Sequence, residues 1–324
     1  MSFKAVINQK KAKEIIAGQI LSGKIPHAYL FLGPDGVGRK KMAMELAKTL
    51  NCHHPNTTGP TTSGNDPETG LIQPCNHCLS CQKIDQGSHP DVQTIDFEWQ
   101  ARRDNKEIEK QKTIKIDTIR AVQHEISLKP TEGRWKIFVI DPAEKITLDA
   151  ANCLLKTLEE PPRWTMLILL ARHKENLPAT IVSRTQVVPF GPLPEKDIAA
   201  WLILNAQQSN DDAHEIAALS EGSLSAAMNL VNDKSSVDQS LLSRLIQPDA
   251  STAELLRISQ EYAKTSDAFL DQLLAEAKQQ FRREPRRFAS MVAEILATRT
   301  LIEKNVNPLM ALDALLLHLN QRGM

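Results

Sequence analysis

The sequence has few aromatic residues, no net charge and no long apolar run. Phe, Trp and Tyr make up 4% of its 324 residues, and Lys plus Arg equal Asp plus Glu at 39 each. So few rings argue against a surface that stacks nucleic-acid bases. The zero net charge argues against a wholly basic nucleic-acid binder, although it leaves room for a local basic patch. The longest apolar run in the middle of the chain, Met166–Ala171, is far too short to span a bilayer.

An apolar targeting segment is lacking as well. The N-terminal residues Met1–Ala5 do not lead into the apolar core of a secretory signal, so we expect a soluble cytoplasmic protein with no membrane partner. In a reducing cytosol, clustered cysteines are more often metal ligands than disulfides. A chain of this length can bury a sizeable core, and length alone predicts about two domains.

Short apolar runs alternate with helical patterns in the first 190 residues. The strand-like runs are Ala28–Leu32, Val92–Ile95, Lys136–Ile140, Met166–Leu170 and Gln186–Phe190. Apolar residues at helical spacing mark Arg39–Leu50, Asp117–Ile126 and Leu148–Leu158. Strands that alternate with helices predict an α/β fold with a mainly parallel sheet covered on both faces. Two polar stretches, Pro55–Gly70 and Gln100–Lys112, are predicted to be loops.

The pattern changes near Pro192–Pro194, and no convincing strand follows. Helices are predicted at Glu195–Asn205, His214–Ser220 and Leu224–Val231. Polar breaks around residues 233–236, 247–250, 283–285 and 305–308 divide the remainder into further helices. An all-helical part is therefore expected to follow the α/β part.

A glycine-rich segment follows the first predicted strand. Gly33, Gly36 and Gly38 match the phosphate-binding loop G-x-x-x-x-G-K-[ST], between a strand and a helix as that motif requires. The glycines would let backbone N–H groups point at an anion, and the following helix adds its positive end. Arg39 and Lys40, however, replace the Lys and the Ser/Thr. Arginine is a planar fork rather than a point charge, and Lys40 has no hydroxyl for Mg²⁺. We predict a phosphate-loop fold with decayed chemistry, a chance turn being the alternative.

The strand Lys136–Ile140 ends at Asp141, where nucleotide hydrolases carry an acidic residue that holds Mg²⁺. Pro142 occupies the next position in place of a second, catalytic acid. Glu144 is expected to point elsewhere, and Asp141 itself could be a plain turn or capping residue. This site too predicts lost nucleotide chemistry.

Three of the five cysteines, Cys75, Cys78 and Cys81, form a C-x₂-C-x₂-C run, and Cys52 could supply a fourth thiolate. Four thiolates suit a structural Zn²⁺ and leave no coordination position for catalysis. The rival fourth ligands are His53, His54, His77 and His89. An iron–sulfur cluster and free thiols are the alternatives to zinc. Cys153, on the apolar side of a predicted helix, is expected to be a small core residue.

Three further segments carry a family resemblance. His27–Pro34, the run L-L-K-T-L-E-E-P-P within Ala151–Pro162, and Ser183-Arg184-Thr185 resemble bacterial DNA polymerase III clamp-loader subunits, which are AAA+ proteins. A cysteine module after the phosphate-loop helix is equally diagnostic of them. The resemblance implies a RecA-like parallel-sheet domain at residues 1–190 with a zinc module at about 52–85. It also implies a three-helix lid domain at 191–234 and a helical collar domain for oligomerisation at 235–324.

Within this family the chain resembles the delta-prime branch, which keeps the fold without nucleotide chemistry, rather than the ATP-hydrolysing gamma/tau motors. Four departures from the motor pattern carry this interpretation: Arg39-Lys40, Pro142, Arg172 and Ser225. Arg172 stands where a sensor Thr or Asn would follow the fourth strand, and Ser225 stands where the motors have a sensor arginine. The resemblance implies that ATP is not bound productively.

One catalytic element of the family is kept. Ser183 and Arg184 match the S-R-C motif, with Thr185 in the Cys position. The resemblance implies that Arg184 acts in trans as an arginine finger in a neighbour's ATP site. The implied partners are the gamma/tau motor subunits and the delta subunit, with the sliding clamp and primer–template DNA reached through the assembly.

Two other functions stay open from the sequence. One is a gamma/tau-like subunit with its own ATP binding and hydrolysis. The other is a zinc-dependent nucleic-acid binder acting alone, which the few aromatic residues and the zero net charge disfavour. Small basic patches at Lys10, Lys11, Lys13, Arg102 and Arg103 would allow weak DNA binding within a complex.

Overall fold

The strands build one parallel sheet. The computed structural model describes residues 2–57, 72–233, 251–263, 266, 269–270, 272–274, 277, 285–303 and 306–322. Most of the predicted loop Pro55–Gly70 lies outside these residues. The chain divides into two compact units, Met1–Asp197 and Ile198–Met324. The predicted boundary at residues 234–235 also falls outside the described residues, so the division into three domains stays a prediction.

The first unit contains the sheet. Its strands are β1 (Ala28–Leu32), β4 (Val92–Ile95), β5 (Lys136–Ile140), β6 (Thr165–Ala171) and β7 (Gln186–Pro189), and β2 (Asn56–Thr57) with β3 (Ile72–Gln73) forms a separate antiparallel pair. The order across the sheet is β4-β5-β6-β1-β7, with every neighbouring pair parallel. The predicted α/β class with a parallel sheet is confirmed. Parallel strands bring the residues after β1, β5 and β6 to one edge.

Helices cover both faces of this sheet. They are α1 (Lys10–Leu21), α2 (Arg39–Asn51), α3 (Leu79–Asp85), α4 (Phe97–Asp104), α5 (Ile116–Ser127), α6 (Leu148–Glu159) and α7 (Ala179–Val182). Alternate strand residues face opposite sides, so Tyr29 and Phe31 join the apolar cluster of α1 and α2, whereas Leu30 joins that of α5 and α6. This two-sided burial explains why the strands are continuous apolar runs.

The prediction of a loop at Gln100–Lys112 is wrong over its first part, which lies in α4. Asp96 caps this helix, its Oδ1 accepting the Trp99 N–H at 2.9 Å. Gln100 is fully buried. Its side-chain oxygen accepts the Lys115 N–H at 2.9 Å, and its side-chain nitrogen donates to the Thr113 carbonyl at 2.9 Å. The polar composition of this segment predicts a loop, but its polar atoms can be buried because they are hydrogen-bonded.

The described part of the second unit is helical. Its elements, with the one that spans the boundary, are α8 (Glu195–Ala206), α9 (Asn210–Leu219), α10 (Leu224–Asp233), α11 (Thr252–Tyr262), α12 (Pro285–Glu303) and α13 (Pro308–Arg322). Helix α9 begins four residues before the predicted His214, because the Ser209 hydroxyl caps it by accepting the Asp212 N–H at 3.2 Å. Within the described residues, no helix combines the length and apolar character needed to cross a bilayer.

Candidate functional site

The segment between β1 and α2, residues 33–38, is called the glycine loop and has the backbone of a phosphate-binding loop. Gly36 and Gly38 have φ angles of +72° and +98°, which favour glycine, and Gly38 precedes α2 with no side-chain cap. Gly33 has φ +155°, and a Cβ built on it would lie 2.3 Å from the Phe190 carbonyl oxygen. The loop therefore has the tight turn and the free helix N-terminus that favour an anion.

The basic side chains of this loop are held within the chain. Arg39 is 8% exposed and ion-paired with Asp35, four residues earlier in the loop. Arg172, which follows β6, is ion-paired with the same carboxylate. Lys40 extends away to lie 3.7 Å from Asp96, measured from Nζ to Oδ2. Arg39 and Lys40 occupy the positions that would bind a nucleotide's phosphates and metal. Both side chains are instead close to carboxylates of the chain itself.

The acidic residues after β5 lie at the same edge of the sheet. Burial raises the pKa of Asp141 above its ordinary value, although the nearby Lys40 and Arg39 partly oppose the rise. Glu144 lies at this edge too, since its Oε1 accepts the Arg172 N–H at 3.4 Å and its charge also raises the pKa of Asp141. Acidic and basic side chains therefore lie close together at this edge of the sheet. Their proximity cannot be inferred from the residues taken one at a time.

Arg184 lies just beyond α7 and is half-exposed. Its Nη1 donates to the Thr180 carbonyl at 3.2 Å, and its Nη2 lies 2.8 Å from Glu159 Oε1 at the end of α6. Ser183 is exposed, and its hydroxyl donates to the Thr180 carbonyl at 3.1 Å. The two predicted residues are therefore adjacent on the surface, and Glu159 is a partner that the sequence did not indicate.

The four predicted cysteines converge. The Sγ atoms of Cys52, Cys75, Cys78 and Cys81 all lie within 4.8 Å of one another, and Cys52 and Cys78 are 4.0 Å apart. Three of the side chains are buried and Cys75 is partly so. Backbone N–H groups approach the sulfurs, the Cys75 N–H donating to Cys52 Sγ and the Cys78 N–H to Cys75 Sγ, both at 3.2 Å. This buried set of soft ligands can hold a metal ion.

The rival histidines have other positions. His53 and His54 are exposed, and the His77 ring contacts the Cys75 carbonyl at 2.7 Å. His89 is buried, and its Nδ1 accepts the Asp91 N–H at 3.1 Å. Cys52, and none of these histidines, is the fourth member of the described cysteine set. Cys153 is only partly buried, and its thiol donates to Gln123 Oε1 at 3.0 Å, which adds a polar contact to its expected core role.

Electrostatics within the cysteine set favour partial ionisation. Burial raises the pKa of Cys78, but hydrogen bonds from the Cys81 and His53 backbone and from neighbouring thiols outweigh it, and the pKa falls to about 6. Burial and the adjacent Cys78 raise the pKa of Cys81 well above its ordinary value. Neighbouring thiolates repel, so the set cannot ionise fully without a cation.

A buried lysine joins the cysteine set to α2. Lys48 is 3% exposed, and its Nζ lies 2.7 Å from Glu45 Oε1, 3.0 Å from Asp85 Oδ1 and 2.9 Å from Asn76 Oδ1. Burial lowers the pKa of Lys48, but its bonds to Glu45 and Asp85 outweigh that effect and raise it. Asn76 lies between Cys75 and Cys78 in the sequence, so its bond to Lys48 holds the segment that joins these two cysteines. The only signal of this contact in the sequence is the Glu-x-x-Lys spacing of Glu45 and Lys48 on a predicted helix.

The family model and the relatives that match this chain are all described as DNA polymerase III subunits. The family described as "DNA polymerase III, delta subunit" matches residues 8–194. The DNA polymerase III subunit tau of Bacillus subtilis is 29% identical over 245 residues, 74% of this chain and 39% of the relative. The subunit delta′ of Bacillus subtilis is 33% identical over 195 residues, 60% of this chain and 51% of the relative.

A third relative, the DNA polymerase III subunit gamma of Buchnera aphidicola, is 33% identical over 236 residues, 71% of this chain and 57% of the relative. The chain spans about half the length of these relatives. The family match covers more than half of the chain, including β1, the glycine loop, the cysteines and Arg184. The chain therefore belongs to the DNA polymerase III delta-subunit family, and so to the clamp-loader subunits that its motifs resemble.

Proposed function

We propose that this chain is a non-hydrolysing, delta-prime-type subunit of a DNA polymerase III clamp loader. In this role it is a scaffold that presents Arg184 to the ATP site of a neighbouring motor subunit. The assembly then opens the sliding clamp and loads it on primed DNA. The carrying observation is the contrast between a phosphate loop whose Arg39 is paired with Asp35 and a half-exposed Arg184.

The loop supports the absence of hydrolysis. Mg²⁺ in such sites is held by a hydroxyl and a carboxylate, but Lys40 supplies a positive charge in place of the hydroxyl. Pro142 stands where a second acid would polarise water. The loop thus keeps a binding backbone without the side chains for phosphoryl transfer.

Arg184 suits action across a subunit boundary because its guanidinium is held by weak, exposed contacts. An arginine that enters a neighbour's site neutralises charge that develops on the γ-phosphate. A phosphate is a stronger partner than the half-exposed Glu159, so exchange of the ion pair on assembly is favourable. Ser183 would support the same turn through its bond to Thr180.

The cysteine set supports a structural Zn²⁺. Zinc–sulfur bonds of about 2.3 Å place the sulfurs of a tetrahedral site roughly 3.8 Å apart, close to the 4.0 Å between Cys52 and Cys78. Four protein ligands would close the coordination sphere, so the ion would hold the module at about residues 52–85 together. It would have no part in ATP chemistry.

The remaining parts of the proposal follow the family. The parallel-sheet unit corresponds to an AAA+ RecA-like domain, residues 191–234 to a lid, and residues 235–324 to an oligomerisation collar. Partners would be the gamma/tau motors and the delta subunit, with DNA and the clamp contacted through the assembly. These assignments are open to test by co-purification of the chain with the motor subunits.

A gamma/tau-like ATPase is the second candidate. It is favoured by the longer aligned segments with the tau and gamma relatives, 74% and 71% of this chain against 60% for delta′. It predicts that the isolated chain binds and hydrolyses Mg²⁺-ATP. The delta-prime proposal predicts no turnover by the isolated chain.

The deciding experiment compares ATP hydrolysis by the isolated chain, by motor subunits alone and by the reconstituted complex. Arg184→Ala should reduce turnover at the neighbouring site by about 10³-fold. Arg120→Ala is the matched control, because Arg120 is also an exposed arginine in an ion pair, with Asp117 at 3.1 Å. Unchanged hydrolysis and clamp loading with Arg184→Ala would contradict the trans role, and turnover by the isolated chain would favour the second candidate.

A further inference from the structure

The glycine loop contains an anion of its own, the Asp35 carboxylate. One oxygen of this carboxylate is ion-paired with Arg39 directly after the loop, and the other with Arg172 after β6. The carboxylate therefore joins two cations, one at the start of α2 and one directly after β6. This is the contact pattern that an oxyanion would make at the same edge of the sheet.

The fit of this carboxylate is incomplete. Arg39 is 8% exposed, and its Nη1 is a buried donor with no hydrogen-bond partner among the residues that the structure describes, although its Nη2 is paired with Asp35. A buried donor left unpaired is costly. Helix α2 also starts directly after Gly38, a residue that offers no side-chain cap. A tetrahedral oxyanion has more acceptor oxygens than a carboxylate and could satisfy such donors together.

We propose that Asp35 is the built-in anion of this loop, which takes the place of a phosphate group on Arg39 and Arg172. Loss of the Asp35 charge would uncover a site for inorganic diphosphate or phosphate. Hydrolysis would not return, because Lys40 and Pro142 remain. The inference rests on the proposed function, and it adds a specific side chain that keeps the loop closed to phosphates.

The test is calorimetric titration of inorganic diphosphate, without Mg²⁺, into the full-length chain. Asp35→Asn keeps the shape of the side chain and removes its charge, and it should bind diphosphate about tenfold more tightly than the wild type, as expected for one hydrogen bond to a charged group. Asp35→Ser is a second variant that should behave alike. The added affinity should disappear in the double variant Asp35→Asn/Arg172→Ala.

Asp117→Asn is the matched control, because it removes an equal charge from an aspartate that is paired with an arginine elsewhere. Binding by both Asp35 variants that equals that of the wild type, or of Asp117→Asn, would overturn the inference. So would tight binding by the wild type, since Asp35 would then not occupy the site. ATP turnover by the wild type is a separate measurement, and it would contradict the proposed function whatever the diphosphate titration gives.

Discussion

Arg184 is ion-paired with Glu159, with 2.8 Å between Nη2 and Oε1. Glu159 ends α6 within the motif Leu154–Pro162, and Arg184 lies in the Ser-Arg-Thr motif after α7. Two motifs that carry the family resemblance thus meet in one contact. The side chain of Glu159 is 51% exposed and that of Arg184 is 37% exposed. Solvent therefore weakens the ion pair, and the arginine can exchange it for another partner.

Glu159→Gln should therefore change little in the isolated chain. We expect the free energy of unfolding in urea to fall by no more than about 1 kcal/mol, and the Arg184-dependent ATPase of a reconstituted complex to stay within about twofold of the wild type. Glu160→Gln, at the exposed neighbouring residue, is the control. A loss of ATPase as large as that of Arg184→Ala would instead make Glu159 essential for placing the arginine.

Removal of the metal should destabilise the first unit. We expect elemental analysis to find about one zinc ion per chain, and Cys78→Ser to lose it and to unfold with a free energy lower by roughly 3–5 kcal/mol. Cys153→Ser is the control, because Cys153 lies outside the set and its contact to Gln123 suits a hydroxyl. Metal-free protein with four titratable thiols in the set would rule out the zinc centre.

Asp91 should stabilise the fold in a pH-dependent way. Its buried carboxylate accepts the N–H groups of Thr131, Glu132 and Gly133 at 2.7–3.0 Å. Burial raises the pKa of Asp91, but these three bonds outweigh it and hold the pKa below its ordinary value. Asp91→Asn should lower the free energy of unfolding at pH 7 by about 2–3 kcal/mol.

The cost of Asp91→Asn should shrink in acid. The folded pKa lies below the unfolded value of about 3.9, so the contribution is complete above that pH and is lost as the pH falls through the folded pKa. Urea unfolding at pH 7, 5 and 3 measures this. Asp117→Asn, at an exposed residue, should show no comparable change. A cost for Asp91→Asn that is the same at all three pH values would contradict the role of the charge.

Two glycines should respond oppositely to alanine. At Gly33, φ is +155° and a Cβ would lie 2.3 Å from a backbone oxygen, so Gly33→Ala should destabilise by about 2 kcal/mol or more. At Gly18, inside α1, a Cβ would meet no atom of the described residues within 4 Å, so Gly18→Ala should stabilise by about 0.5–1 kcal/mol. Thermal unfolding of both variants tests the contact, and equal effects would contradict it.

Much of the first unit follows from its sequence because each strand is buried on both sides. Two of the predicted strands have the predicted bounds, Ala28–Leu32 and Lys136–Ile140. The cysteine set was also predictable, since the x₂ spacing fixes three ligands and the choice of fourth is small. Its completion by Cys52, not by a histidine, required the fold.

Other features depend on partners distant in sequence and could not be predicted. Gln100 is buried because Thr113 and Lys115 satisfy its amide, and a polar residue gives no sign of such partners. The position of Arg172 in the sequence indicates only a missing sensor residue, whereas the fold brings its guanidinium to Asp35. The presence of a side chain can be seen in the sequence, but its ion-pair partner is set by the order of the strands.

Helix α2 has both of its ends fixed. Gly38, the last residue of the glycine loop, directly precedes its first residue, and Cys52, a member of the cysteine set, directly follows its last residue. One inserted or deleted residue would rotate one end against the other by about 100° and shift it by about 1.5 Å. Either the loop or the cysteine set would then lose its geometry. The number of residues between Gly38 and Cys52 is therefore a fixed requirement of this unit.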